Sequence, residues 1–177
     1  AELSRVEWAS GVHLGIYLLL ALLIGGAALA LRIRSLTASA ILAVVVLVQT
    51  TNAGGYPWLW FPEHMIGDLD TMKQLGVFVL VAAVAWQGRE FFTQGTSWRR
   101  LDRFMVAHTM VLLLAMLSVP AGRYAQWTWL AFFSPWLTAV LCAAVAWTNM
   151  WRRGVTPVRA LMAAPYTLHA LLGLHMA

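Results

Sequence analysis

Five histidines stand out in this chain, because polar side chains are otherwise scarce in it. The helices assigned below place His13, His64 and His175 at a common depth of the molecule. Imidazole and carboxylate groups together suit zinc, copper or iron, and Asp68 and Asp70 follow His64 closely. The pattern therefore predicts a candidate metal site built from His13, His64, Asp68 and His175.

Histidines on two helices also suit a cofactor. A bis-histidine haem takes one imidazole from each of two helices at matched depth, and His13 with His175 is the best such pair. His169, expected near the middle of the last helix, extends the candidate cofactor set to His13, His64, His169 and His175. Haem, quinone or pigment are the candidate ligands. The ordinary alternative is that these imidazoles are hydrated or hydrogen-bonded at an interface.

The sequence offers little for an enzyme active site. No Asp, Glu, Lys or Arg lies deep within a hydrophobic stretch, and phosphate-loop, GxSxG and HExxH motifs are missing. For the deeply placed His108 and His169 we expect neutral rings bonded to a backbone carbonyl or to Thr109 or Thr167. Cys142, the single cysteine, is expected to pack as a small apolar residue. We therefore expect no enzymatic activity of the chain itself.

The elements that carry these residues are expected to be hydrophobic helices. Of the 177 residues, 61% are hydrophobic and 11% charged, against about 45–50% and 25% in ordinary soluble domains. The mean hydropathy is +0.73. The apolar stretches are continuous, whereas strands of a membrane β-barrel alternate. The composition predicts an all-α integral membrane protein with one transmembrane domain over residues 1–177.

Charged residues divide the chain into six uncharged stretches, and a spanning helix needs about 20 residues. The third stretch is short, and Lys73 is expected to lengthen it by reaching toward the interface. Pro120 is expected to end the fourth helix and Pro157 to begin the sixth, whereas Pro135 and Pro165 are expected to bend their helices. The predicted six-helix bundle comprises residues 10–31, 37–53, 72–89, 104–121, 127–150 and 158–177.

Basic residues indicate the orientation of this bundle. Nine of the twelve fall in the loops on one side, and Lys and Arg are enriched in cytoplasmic loops. We therefore expect a multi-pass protein of the bacterial inner membrane with its N-terminus outside. The net charge of +5 then reports topology and not nucleic-acid binding. The nine residues are Arg32, Arg34, Arg89, Arg99, Arg100, Arg103, Arg152, Arg153 and Arg159.

The two loops on the other side are rich in aromatic residues. One interpretation is an aromatic belt at the membrane interface. The other is a surface that binds a ligand or a partner protein, for which the candidates are Trp58, Trp60, Tyr124, Trp127 and Trp129.

Several short segments resemble one receptor family. GVHLGIYLLLALL at 11–23 is similar to the opening of its first helix, and LRIRS at 31–35 to the turn that follows. Val48–Pro62, with its Gln, its Asn-x-Gly and its Trp-Leu-Trp-Phe-Pro ending, resembles the exit of its second helix. REFF at 89–92, RRLDRF at 99–104 and WRRGVTPVR at 151–159 resemble its basic inner loops. The family is that of bacterial seven-helix receptors with diverse intracellular signalling modules. The tyrosines usual after the first turn are replaced here by Thr37, Ala38 and Ser39, and the seventh helix and the sensor and output domains are absent from this sequence.

Two functions follow as expectations. The resemblance implies a sensory module that relays a signal from an aromatic outer face, across the lipid bilayer, to a signalling output domain. The alternative is a small integral subunit of a membrane redox or photosynthetic complex. Such a subunit would bind haem, quinone or pigment through histidines, or would pack against other membrane-protein subunits.

Overall fold

The computed structural model describes residues 2–53, 69–92 and 98–175, and within these ranges helices are connected by short turns and no strand occurs. The predicted all-α class is therefore confirmed. The described residues form six α-helices and one 3-10 turn. In chain order these are α1 (Glu2–Leu31), α2 (Arg34–Ala53), α3 (Leu69–Phe92), α4 (Arg99–Leu117), the 3-10 turn (Val119–Ala121), α5 (Tyr124–Arg153) and α6 (Pro157–His175).

In the part of the chain that the structure describes, four helices are long and apolar enough to cross a membrane. The qualifying stretches are Leu14–Leu31, Arg34–Asn52, Arg99–Ala121 and Tyr124–Arg153. The sequence predicted six membrane spans, and helix length and composition support four of them. The helix α3 carries Asp70 and Lys73 near one end and Arg89 and Glu90 near the other, which shortens its uncharged part.

Helix ends follow local chemistry. The helix α4 ends at Leu117, three residues before Pro120, because a proline has no N–H to donate to the preceding turn and its ring clashes with the carbonyl four residues before it. Ser118 then donates its hydroxyl to the carbonyl of Ala115 at 2.7 Å. The helix α6 begins at Pro157, where the N–H that proline lacks would have no acceptor within the helix, so its absence does not destabilise the helix. The predicted roles of Pro120 and Pro157 are confirmed.

The helix α3 is the centre of the bundle. It packs against α2, α4 and α5, whereas α1 packs mainly against α2, and α6 mainly against α5. One core cluster lies around Phe78 and Leu112, which are fully buried. A second cluster, around Met105 and Cys142, lies toward the end of the bundle that carries the arginine-rich turns. We call that end the basic end.

Candidate functional site

Gln87 on α3 joins three helices through hydrogen bonds. Its Nε2 donates to the hydroxyl of Ser39 on α2 at 3.0 Å. Its Oε1 accepts from the hydroxyl of Tyr166 on α6 at 3.2 Å. Ser39 in turn donates to the carbonyl of Ser35 at 3.0 Å, in the first turn of α2. A single amide thus connects α2, α3 and α6.

Gly88, the next residue, allows close approach to α5. A Cβ atom placed there would lie 2.6 Å from Sγ of Cys142 and 3.3 Å from Cγ2 of Thr138. Both α5 side chains are almost completely buried. Any larger residue at this position would push α3 and α5 apart.

Arg89 connects α3 to α4. Its guanidinium donates from Nε to Oδ1 of Asp102 at 2.8 Å and from Nη2 to Oδ2 at 3.4 Å. Its Nη1 donates to Oε1 of Glu90 at 3.0 Å, and the group lies 5.1 Å from the ring centre of Trp86. A bidentate ion pair of this kind fixes the relative orientation of the two side chains as well as pairing their charges. We call Gln87, Gly88, Arg89 and Glu90 the α3 hub.

Glu90 is the most enclosed charged group of the hub. Its side chain is 4% exposed, and Oε2 has no hydrogen-bond partner among the described residues. A buried carboxylate depends on its partners, because taking a charge out of water costs several kcal/mol (about 3–5 when one partner of a buried pair is removed). Arg89 therefore holds Glu90 and Asp102 together at the basic end.

A cavity of about 470 Å³ lies beside the hub, between α3, α5 and α6. We call it the α3–α5–α6 cavity. Gln87, Tyr166 and His169 supply its polar wall. The rest of its lining is apolar: Val84, Phe91, Pro135, Ala139 and Pro165. Both prolines lie inside helices, where each removes one backbone donor.

A second cavity, of about 410 Å³, lies between α2, α3 and α4. Its polar lining consists of Gln49 and the buried Asn52, which are set among valine, leucine and methionine side chains. Gln49 donates from Nε2 to the carbonyl of Lys73 at 3.2 Å and occupies the space that a side chain on Gly76 would need. Oε1 of Gln49 and Oδ1 of Asn52 accept no hydrogen bond from the part of the chain that is described.

His108 makes a different contact from the one expected. Its Nε2 is hydrogen-bonded to the hydroxyl of Ser134, which links α4 to α5. Thr109 donates instead to the carbonyl of Met105 at 2.9 Å, and Phe104 stacks on the imidazole. The expected bond to a backbone carbonyl or Thr109 was wrong, because a helical threonine satisfies itself on its own preceding turn.

The predicted histidine sites are distributed over the molecule. His169 lines the α3–α5–α6 cavity. His13 and His175 lie on α1 and α6, which share no extensive contact among the described residues, and neither side chain is described. His64 and Asp68 lie outside the described residues, as do Trp58 and Trp60. No group of three or more potential metal-binding side chains occurs in the described ranges.

The aromatic residues at the start of α5 divide into packed and exposed ones. Tyr124 meets Phe78 edge-on with ring centres 6.0 Å apart, and Trp127 packs against the same core cluster. Trp129 is 61% exposed. Tyr124 and Trp127 thus contact the core on α3, and their proposed role in binding a ligand or partner stays a prediction.

The α3 hub was not predicted from the sequence. The signal was present, since Gln87 to Glu90 reads QGRE directly after an uninterrupted apolar run. A glutamine and a glycine before an arginine in that position indicate interhelical contacts.

Comparison of the chain with protein-family models, with curated proteins and with solved structures gives no match.

Proposed function

We propose that this chain is the membrane-embedded relay module of a bacterial sensory protein, with its N-terminus outside and its basic end in the cytoplasm. Four helices apolar enough to span support this, as do exposed leucines around α1 and exposed arginines at the basic end. Apolar surface of that extent suits lipid contact, and the arginines suit the cytoplasmic side.

The observation that carries the proposal is the α3 hub. Consecutive residues of one helix contact α2 and α6 through Gln87, α5 through Gly88 and α4 through Arg89. A displacement of α3 would have to break or remake these contacts together. Two alternative packings a few kcal/mol apart are what a ligand needs in order to bias a bundle.

The receptor resemblance is consistent with this arrangement. The Arg89–Asp102 pair joins the REFF segment to the RRLDRF segment, and the Gln87–Ser39–Ser35 chain ends at the LRIRS turn. Three of the segments that carry the resemblance therefore meet at the hub, where they would act on a signalling output domain.

A reporter fusion tests the relay. The chain is joined, through one added apolar helix that returns the polypeptide to the basic side, to a histidine kinase whose autophosphorylation is measured. Gln87→Leu and Asp102→Asn are expected to change basal output at least about fivefold. Gln87→Leu removes two interhelical hydrogen bonds, and Asp102→Asn removes the charge and one of the two acceptors of the pair with Arg89, and each loss is worth about 1 kcal/mol or more. Trp58→Ala and Trp60→Ala are expected to alter output as well.

Thr148→Val is the matched control, since that hydroxyl donates to the carbonyl of Ala144 on its own helix. Its output should equal that of the unaltered fusion. The proposal is contradicted if all four variants give the control's output while remaining folded in the membrane.

A subunit of a membrane redox or pigment complex is the second candidate. The observation that favours it is the position of His169 in the wall of the α3–α5–α6 cavity. The visible absorption spectrum of protein purified from its native membrane tests it. A Soret or pigment band that is lost in His169→Leu would support this function over the relay.

A further inference from the structure

We propose that the α3–α5–α6 cavity binds a neutral, membrane-soluble ring compound with carbonyl or hydroxyl oxygens, of the quinone or hydroquinone class. The proposal deepens the relay by naming its ligand, and in its consequence for signalling it rests on the proposed function. Binding itself is a separate measurement.

Size and shape favour a small molecule. The volume of about 470 Å³ falls within the range of about 300–1,000 Å³ typical of small-molecule sites. Phe91, Tyr166 and the two prolines Pro135 and Pro165 are rigid side chains in the lining. Rigid, flat walls of this kind complement a planar ring better than a flexible acyl chain, because a ring loses less conformational freedom on binding.

The distribution of polar groups defines where the oxygens lie. Gln87, Tyr166 and His169 come from α3 and α6, whereas the α5 wall is formed by Pro135 and Ala139. An imidazole donates from one nitrogen and accepts at the other, so His169 suits either a carbonyl or a hydroxyl. The lining therefore predicts a ligand with oxygens toward α3 and α6 and an apolar edge toward α5.

The absence of charge in this lining favours a neutral ligand. No Asp, Glu, Lys or Arg is among the described residues that line the cavity. An ion placed there would have no counter-charge, and burying an unpaired charge is costly. The nearby α6 surface is apolar, with Leu168 and Leu172 exposed, which suits entry from the lipid.

The ligand would act directly on the hub. The hydroxyl of Tyr166 and the amide of Gln87 are bonded to each other and both line the cavity. A ligand oxygen that forms a hydrogen bond with the Tyr166 hydroxyl would either replace Gln87 as its partner or strengthen the Tyr166–Gln87 hydrogen bond. Because the Gln87 side-chain amide also donates to Ser39, either change would reach α2.

Photolabelling of the full chain in phosphatidylcholine nanodiscs tests binding. The probe is a decyl-benzoquinone carrying an azide, and labelled peptides are identified by mass spectrometry. We expect labels on α3, α5 and α6 around the cavity. Decyl-hydroquinone should compete for them, whereas decylbenzene, which has the same tail without oxygens, should not.

Two variants distinguish binding of the probe in the α3–α5–α6 cavity from its nonspecific partitioning onto apolar protein surface. Ala139→Leu fills the cavity and is expected to abolish the label. His169→Leu removes a polar contact at an exposed position that tolerates change, and should weaken competition about three- to tenfold, the equivalent of one hydrogen bond. Leu168→Met, outside the lining, should match the unaltered protein. Because His169 is exposed, His169→Leu keeps the test valid if Ala139→Leu does not fold.

The ligand assignment is overturned if decylbenzene competes as well as decyl-hydroquinone, if the label falls mainly on the α2–α3–α4 cavity, or if His169→Leu and Leu168→Met behave alike. Adding the quinone to the reporter fusion separates the two proposals. Site-specific labelling without a change in output would support the ligand and contradict the relay. An output change in Gln87→Leu without quinone binding would support the relay and overturn the ligand.

Discussion

Gly88 sets the distance between α3 and α5, and its replacement makes a sharp prediction. Alanine is the better helix former by about 1 kcal/mol, but its Cβ would lie 2.6 Å from Sγ of Cys142. Overpacking of a close-packed core costs about 1–3 kcal/mol. Since the overpacking cost exceeds the propensity gain, we expect Gly88→Ala to lower the free energy of unfolding, measured by SDS titration in mixed micelles, by up to about 2 kcal/mol.

The double variant Gly88→Ala with Cys142→Ala should recover part of this loss, because removing Sγ makes room for the new methyl group. Such non-additivity is the signature of residues in contact. Gly25→Ala is the control, since a Cβ there meets nothing within 4 Å. Additive losses in the double variant would contradict the contact.

At the residue scale, the sequence singled out some of the polar residues that join helices and missed others, Gln87 and Arg89 among them, and it did not predict their partners. It singled out His108 and His169 as deeply placed, and the structure places His108 against Ser134 and His169 in a cavity wall. The partners depend on which helices are neighbours. The spacing of residues along one helix contains no information about the residue 26 positions away that completes the His108–Ser134 hydrogen bond.

At the element scale, the pair α5–α6 is held by two indole groups. Nε1 of Trp136 donates to the carbonyl of Ala170 at 3.1 Å, and Nε1 of Trp147 donates to the hydroxyl of Thr167 at 3.0 Å. A net intramolecular hydrogen bond contributes about 0.5–1.5 kcal/mol. Trp136→Phe is therefore expected to accelerate hydrogen exchange in α6 about two- to tenfold and to leave α2 unchanged.

Trp151→Phe is the matched control for this substitution, because that side chain is 92% exposed. Its exchange profile should follow the unaltered protein. Equal acceleration in α2 and α6 would mean that Trp136 supports the bundle in general and not the α5–α6 contact.

Helices were the part of the fold most accessible to prediction. Continuous apolar runs separated by charges locate all six, and proline chemistry locates the end of α4 and the start of α6. The observed helices begin or end several residues beyond the apolar runs. The helix α4 begins at Arg99 and not at 104, and Asp102 in its first turn pairs with Arg89. The pattern of apolar residues does not predict that a helix extends into a polar segment in order to form such an ion pair.

At the scale of the whole molecule, the sequence did not reveal that α3 is the centre. The helix α3 is not among the four helices that qualify as spans by length and composition, and it carries charges at both ends. It is nevertheless the helix that packs against α2, α4 and α5. A helix surrounded by protein tolerates polar groups that a helix surrounded by lipid does not. Helix order in a bundle depends on interhelical contacts that a single sequence leaves undetermined.

Orientation is a property of the whole molecule, and cysteine labelling tests it. In a Cys142→Ala background, Ala121→Cys lies between α4 and α5, and Val155→Cys lies between α5 and α6; both positions are exposed. If the basic end faces the cytoplasm, a membrane-impermeant maleimide should label Ala121→Cys in intact cells. Val155→Cys should react only after permeabilisation. Both native residues are small and exposed, and they lie at opposite ends of the bundle, so each position serves as the control for the other. The reverse labelling pattern would place the arginine-rich turns outside the cell, where they could not act on a cytoplasmic output domain. Labelling of both positions in intact cells would mean that the chain does not adopt a single orientation in the membrane.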